Sequence, residues 1–277
     1  MKKIFLYASF FAVIVACSSD DDIINDTDAT STPILPVKIT FDGEMSTVKY
    51  DGSKIISIIS TVNSGDKVLF TYNGDVITNV KTYYNNKLEA ETDYSYSNGK
   101  LISENNLQTT SSTQYLVTYN YTYVNDNSIK AVKKVSYNQN EYTLNLTYIL
   151  TNGYVTSYTG SGSGVSNGAN TTYQESGAFT YSDKNAIFKN ITGFDKIIMN
   201  GDDGYEFFSN IKNNILTYKV QTNFTSANSS GRSWTYYKNT STYNSENYPL
   251  KELKKYYNLD DTPTSSSLET NLYEYNK

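Results

Sequence analysis

Histidine is absent from this chain of 277 residues, and cysteine occurs once. The first absence removes the Ser-His-Asp and Cys-His catalytic arrangements and every histidine metal site. The second removes disulfides, so a folded exported chain would have to be stable through its sheet alone. Proline is scarce, at four residues, and Trp234 is the single tryptophan. Basic residues are outnumbered 23 to 28, for a net charge of −5, so the chain lacks the basic footprint that nucleic acid binding requires. No apolar run reaches the roughly 20 residues of a membrane-spanning helix. Apolar residues make up 38% of the chain, below the usual 45–50% or so. That shortfall argues against a thick two-layer core and for a sheet wetted on both faces.

What is abundant is tyrosine, with 28 copies, together with Asn, Ser and Thr in every segment. Tyr and Thr favour strands, and Asn and Gly favour the turns between them. The stretch 94–104 (Y-S-Y-S-N-G-K-L-I-S-E) is the clearest unit. Asn98-Gly99 between alternating apolar residues signals a tight hairpin, because a type I′ turn needs positive φ at both central positions. Similar units follow Tyr50, Tyr72, Tyr96, Tyr123, Tyr148 and Tyr181, at intervals of 22, 24, 27, 25 and 33 residues. An aromatic residue precedes the leading Tyr by two in four of them, as Phe70, Tyr94, Tyr121 and Phe179; Val48 and Leu146 fill that place in the others. Near-constant spacing of this kind marks a repeat array.

The N-terminus carries an address. Lys2 and Lys3 precede an apolar run that ends at Ile14-Val15-Ala16-Cys17. The run is too short for a span and has the form of a signal peptide over residues 1–16. Ile14–Cys17 resembles a bacterial lipobox, which implies acylation of Cys17. Ser18, Ser19, Asp20, Asp21 and Asp22 follow at once. Residues 17–36 then read as a lipidated, disordered tether, with a root-mean-square span on the order of 25 Å. The hairpin domain is expected over residues 37–277.

Three stretches stand apart from the repeat. Residues 160–170 begin G-S-G-S-G and read as a flexible loop; a phosphate-binding loop would need a following helix start and a Lys, and has neither. Asp202, Asp203 and Glu206 are the densest carboxylate group, foremost a charged turn, with calcium as the weak alternative. Residues 250–259 are compatible with a short helix or a strand, and residues 268–275 alternate to the end.

The Tyr-x-Tyr…Gly-x-Leu/Ile units, with the segments 179–190 and 248–275, resemble a Bacteroidota family of surface lipoproteins built from YD/Rhs-like β-hairpin repeats. The resemblance covers roughly residues 37–277. It departs from the YD pattern in lacking Arg after the Gly and in having Ala186 where Pro is expected. It implies an all-β fold: an elongated, twisted antiparallel sheet, single-layer or open-barrel-like. It implies no catalytic residues, and the Ser-plus-acidic run after Cys17 resembles the family's surface-export signal. The expected function is that of a non-enzymatic binding or display module, lipid-anchored at the outer membrane and exposed at the cell surface, without a cofactor. An accessory glycan-binding protein of a polysaccharide-uptake system is the alternative, with an envelope protein as another possible partner. A carboxylate-based glycoside hydrolase and a membrane-spanning barrel rank lower. For ligand contact the candidates are Trp234, Tyr236 and Tyr237, with Trp234 and Tyr236 on one strand face and Tyr237 on the other.

Overall fold

The computed structural model describes residues 32–109, 113–198 and 211–277, without side chains at 265–267. Signal peptide, Cys17, the Ser18–Asp22 run, most of the tether and the Asp202, Asp203, Glu206 group lie outside the described residues. The folded unit runs from Pro33–Lys277. Its strands are β1 (Pro36–Phe41), β2 (Glu44–Asp51), β3 (Lys54–Ser60), β4 (Lys67–Asn73), β5 (Val76–Tyr84), β6 (Lys87–Ser97), β7 (Lys100–Thr109) and β8 (Gln114–Asn125). They continue as β9 (Ser128–Tyr137), β10 (Asn140–Thr151), β11 (Tyr154–Ser166), β12 (Ala169–Asn185), β13 (Asn213–Ser226), β14 (Ser230–Tyr243), β15 (Pro249–Tyr257) and β16 (Pro263–Tyr275). Each strand pairs antiparallel with the next, and β1 pairs with β16.

The sheet is therefore closed into a barrel of sixteen strands, where an open or single-layer sheet was expected. Closure removes the two edges that an open array leaves unpaired. It also accounts for the low apolar content. Only alternate residues pack into the core, because one face of the sheet lines it and the other is turned outward.

The repeat has a structural meaning. The Asn98-Gly99 turn adopts the positive φ angles its sequence calls for, 50° and 72°. Just before the corresponding turns, register slips by one residue, so that Tyr50, Tyr72, Tyr96 and Tyr123 face Ile55, Ile77, Leu101 and Ile129. These Tyr residues sit beside a β-bulge, and the hydroxyls of Tyr50 and Tyr72, like that of Tyr181 on β12, reach the main chain of a neighbouring element. Tyr50 donates to Pro36 O at 2.7 Å, Tyr72 accepts from Ile55 N at 3.2 Å, and Tyr181 donates to Val155 O. In the β10–β11 hairpin this place belongs to Leu150, opposite Val155, and not to Tyr148 as the sequence spacing suggested. Tyr148 then falls in line with Phe70, Tyr94, Tyr121 and Phe179, all buried.

Those inward residues build an aromatic chain along the inner wall. Ring centroids lie 6.5 Å apart for Tyr121–Tyr148, 5.2 Å for Tyr148–Tyr158, 6.1 Å for Tyr158–Phe179, 5.1 Å for Phe179–Tyr218 and 4.9 Å for Tyr218–Tyr237. One end of the barrel is covered by residues 186–198, which leave β12 and pack inward. Phe194 sits 6.0 Å from Phe70 and 5.5 Å from Phe188. Thr192 N donates to Ser53 O at 3.0 Å and Asn190 Nδ2 to Tyr248 Oη at 2.7 Å, tying the segment to turns at that end.

The expected loop at 160–170 is mostly strand. Residues 160–164 lie in β11 and the turn is confined to Asn167-Gly168. The G-S-G-S-G run has a period of two, with glycines inward and serines outward. Glycine is required there because β11 crowds β10: a Cβ on Gly162 would lie 1.8 Å from Thr143 O. The bare strand also lets Tyr142 of β10 and Tyr173 of β12 stack across it at 4.3 Å. Residues 250–259 resolve in favour of a strand, β15.

Candidate functional site

Cross-strand register places the outward residues of β9–β14 in rows. One row runs Trp234, Gln221, Ser176, Thr159, Thr147, Lys130. The next runs Arg232, Asn223, Gln174, Ser161, Asn145, Val132. Where these rows cross β10–β13 they line an open trough of about 480 Å³. Its outward side chains are amides and hydroxyls: Asn145, Thr147, Thr159, Ser161, Gln174, Ser176 and Asn223. Three strand spacings make it roughly 14 Å across.

Next to the trough on β14, Arg232 stands opposite the lining residue Asn223, and Trp234 stands opposite Gln221 in the adjoining row. Arg232 Nε donates to Asn223 Oδ1 at 2.8 Å, and Gln221 Nε2 donates to the same oxygen at 3.0 Å. Asn223 is thus held on its oxygen side, with its NH2 group left for the trough. Trp234 is 42% exposed. Behind the floor, Glu175 faces inward and pairs with Lys133 at 3.0 Å, both buried, and Lys133 lies 5.6 Å from the centre of the Tyr119 ring. That pair holds the Glu175 carboxylate inside the barrel and away from the outer face of the trough.

No protein-family model matches the chain, and no curated protein matches it. Among solved structures it is similar to a porin-like protein from Bacteroides vulgatus. The TM-score is 0.52 at 13% identity, over 87% of this chain and 99% of that one. At that identity the likeness is one of fold: a large antiparallel β-barrel.

The distribution of polarity bears on how such a barrel is used. A membrane-spanning barrel carries an outward apolar band about 25 Å tall around a polar interior. On β10 and β12 the polarity is reversed. Outward positions on β10 are Glu141, Thr143, Asn145, Thr147, Ile149 and Thr151, and on β12 they are Asn170, Thr172, Gln174, Ser176, Ala178 and Thr180. Their inward positions include Leu144, Leu146, Tyr148, Tyr173 and Phe179, with Glu175 among them.

Of the three aromatic candidates, only Trp234 is open to a ligand. Tyr237 points into the core, stacked on Tyr218 at 4.9 Å. Tyr236 shares the outer face with Trp234 but is buried. Its hydroxyl donates to Asp261, and Lys238 Nζ donates to the same carboxylate at 2.9 Å. Lys219 and Lys238 lie 4.8 Å and 5.5 Å from the Tyr236 ring centre. Burial, then the bond to Asp261, pushes the Tyr236 hydroxyl pKa up, whereas the bonds from Tyr236 and Lys238 hold Asp261 below the usual carboxylate range. This cluster latches the β15–β16 turn onto β14.

The sequence reading missed the trough itself. Its signal was present in the Ser and Thr between the inward residues of β10–β12. Which strands would carry those residues side by side depends on register, and that is fixed only once the strands pair. Among the described residues, no group of three or more Asp, Glu, His or Cys is placed to hold a metal ion.

Proposed function

We propose that the chain is a non-enzymatic, lipid-anchored barrel of the outer membrane that binds a saccharide in the β10–β13 trough. The observation that carries this is the open trough of amides and hydroxyls beside the exposed Trp234. Hydroxyl-rich ligands need paired donors and acceptors, which amide and hydroxyl side chains supply, and an apolar ring face needs an aromatic surface to cover it. Outward carboxylates are missing from both rows, which favours binding over carboxylate-based hydrolysis. The polar outer wall suits a barrel that stands in water and is attached by the lipid expected on Cys17. The barrel likeness to a porin-like Bacteroides protein and the lipobox-like start are consistent with an outer-membrane address. Export to the cell surface would then follow from Ser18 to Asp22.

Because Trp234 is the single tryptophan, its fluorescence reports on this site alone. Titration with soluble oligosaccharides is expected to shift the emission, and Trp234→Ala to weaken binding about tenfold or more, near 1.4 kcal/mol, with an unchanged β-sheet circular dichroism spectrum. If a broad oligosaccharide panel leaves the emission unmoved, the saccharide reading is wrong.

A further inference from the structure

The chain contains one arginine and one tryptophan, and both stand on the outer face of β14, two residues apart, on the same side of the trough. All other basic residues are lysines. Arginine differs from lysine in offering a rigid, planar fork that meets a carboxylate with two parallel hydrogen bonds. Arg232 is prepared for that role. Its Nε is engaged by Asn223 Oδ1 at 2.8 Å, which fixes the plane of the guanidinium and leaves the two Nη groups pointing away from that contact. The side chain is exposed and, among the described residues, forms no ion pair.

The charge along the trough points the same way. The row of Trp234 ends in Lys130, also exposed and outside any ion pair among the described residues. Neither row contains an outward Asp or Glu, in a chain whose net charge is −5. The nearest carboxylate in sequence along the floor, Glu175, is turned inward and neutralised by Lys133. Rows that carry Arg232 on β14 and Lys130 on β9 to either side of the trough, with none of the abundant acids among their outward residues, favour a negatively charged ligand.

Resting on the saccharide reading above, we infer that the ligand is an acidic saccharide carrying uronic-acid carboxylates, and that Arg232 is the residue that reads one of them. Trp234 covers the sugar ring face, the trough pairs its hydroxyls, and the Arg232 fork takes the carboxylate end-on.

The test compares a short oligogalacturonate with its methyl ester, which keeps the ring and removes the charge, using Trp234 fluorescence on the full folded domain. The acid is expected to bind at least tenfold more tightly than the ester, with a preference that shrinks as salt rises. Arg232→Gln should bring the acid down to the level of the ester, and Arg232→Lys should recover only part of the preference. Equal binding of acid and ester by the wild-type protein overturns the role of Arg232 and leaves the saccharide site standing. A preference for the acid that survives Arg232→Gln overturns the assignment to this residue. Failure of both compounds and of the neutral panel to bind overturns the site and this inference together.

Discussion

At the scale of single residues, tyrosine does two different jobs in this fold, and the hydroxyl distinguishes them. Tyr72 donates to Thr192 O at 3.1 Å and accepts from Ile55 N at 3.2 Å. Tyr96 holds the same place one hairpin on, but its buried hydroxyl has no hydrogen-bond partner among the described residues. Removing a hydroxyl that satisfies buried main-chain groups costs about 1–3 kcal/mol. Tyr72→Phe is therefore expected to lower the unfolding free energy by that amount, and Tyr96→Phe to leave it unchanged or raise it slightly, in chemical denaturation of the two variants. The glycines of β11 give a second contrast. A methyl group at Gly162 has no space inside, so Gly162→Ala should cost about 1–3 kcal/mol or more by overpacking. Ser161→Ala, one residue away and outward, should stay within about 0.5 kcal/mol. Equal effects would mean that the period of two in this run has been misassigned.

At the scale of elements, β15 brings a carboxylate into the core. Glu252 is buried and accepts hydrogen bonds from the Tyr273 hydroxyl and, at 3.4 Å, from Ser241. Burial is the larger influence and raises its pKa; the bonds from Tyr273 and Asn214 and the charge of Lys254 offset this only in part. A carboxyl raised in the folded state favours folding while it is protonated. Its contribution is complete below the ordinary carboxylate range and is lost as pH rises through the folded value. The melting temperature should therefore carry a component that falls with rising pH, and Glu252→Gln should remove it. Melting curves of both proteins between pH 4 and pH 8 check this; parallel curves would show that Glu252 ionises in the fold without cost. The segment 186–198 is the other element with a distinct task. Its Phe188, Ile191 and Phe194 are buried against the inner wall, so it closes one end of the barrel with apolar side chains.

At the scale of the whole molecule, closure changes how stability is distributed. An open array of repeats would unfold approximately as a sum of unit and neighbour terms. The β1–β16 pairing makes the first and last strands neighbours, with Ile39 opposite Tyr273 and Tyr275 opposite Pro36. Loss of either terminal strand would then open the sheet along its full length. Thermal unfolding is expected to follow one cooperative transition, with similar melting temperatures for reporters placed in β2 and in β9; separate transitions would favour repeat-wise unfolding. Attachment is a whole-molecule property as well. On the proposed lipid attachment, Cys17→Ser should release the protein from the membrane fraction, because the outer faces of β10 and β12 are rich in Thr, Asn and Gln. A variant that still sediments with outer membranes would mean that the strands themselves carry the attachment.

Much of this was legible in the residues in order. Alternation of Tyr with Ser, Thr and Asn determined that the chain is antiparallel β, because side chains on a strand alternate faces and the Asn-Gly pairs allow tight turns. The spacing located the hairpins that follow Tyr50, Tyr72, Tyr96 and Tyr123 and misplaced the next by two residues at Tyr148. The lack of His and the single Cys narrowed the chemistry before any strand was placed. Closure was not legible, since β1 and β16 are far apart in sequence and no local pattern states that one pairs with the other. The inward wall segment at 186–198 was hidden for the same reason: its apolar residues have no period, and their partners Phe70 and Ser53 lie in distant hairpins. Gly160–Gly164 misled because glycine is read as flexibility until a neighbour such as Thr143 is seen to occupy the space of a Cβ. Alternation put Trp234 and Tyr236 on one face of β14 and Tyr237 on the other, and did not tell an open aromatic from a packed one. The tertiary structure decided that, by stacking Tyr237 on Tyr218, covering Tyr236 with Asp261 and Lys238, and leaving Trp234 exposed in a row beside a trough that four strands must pair to form.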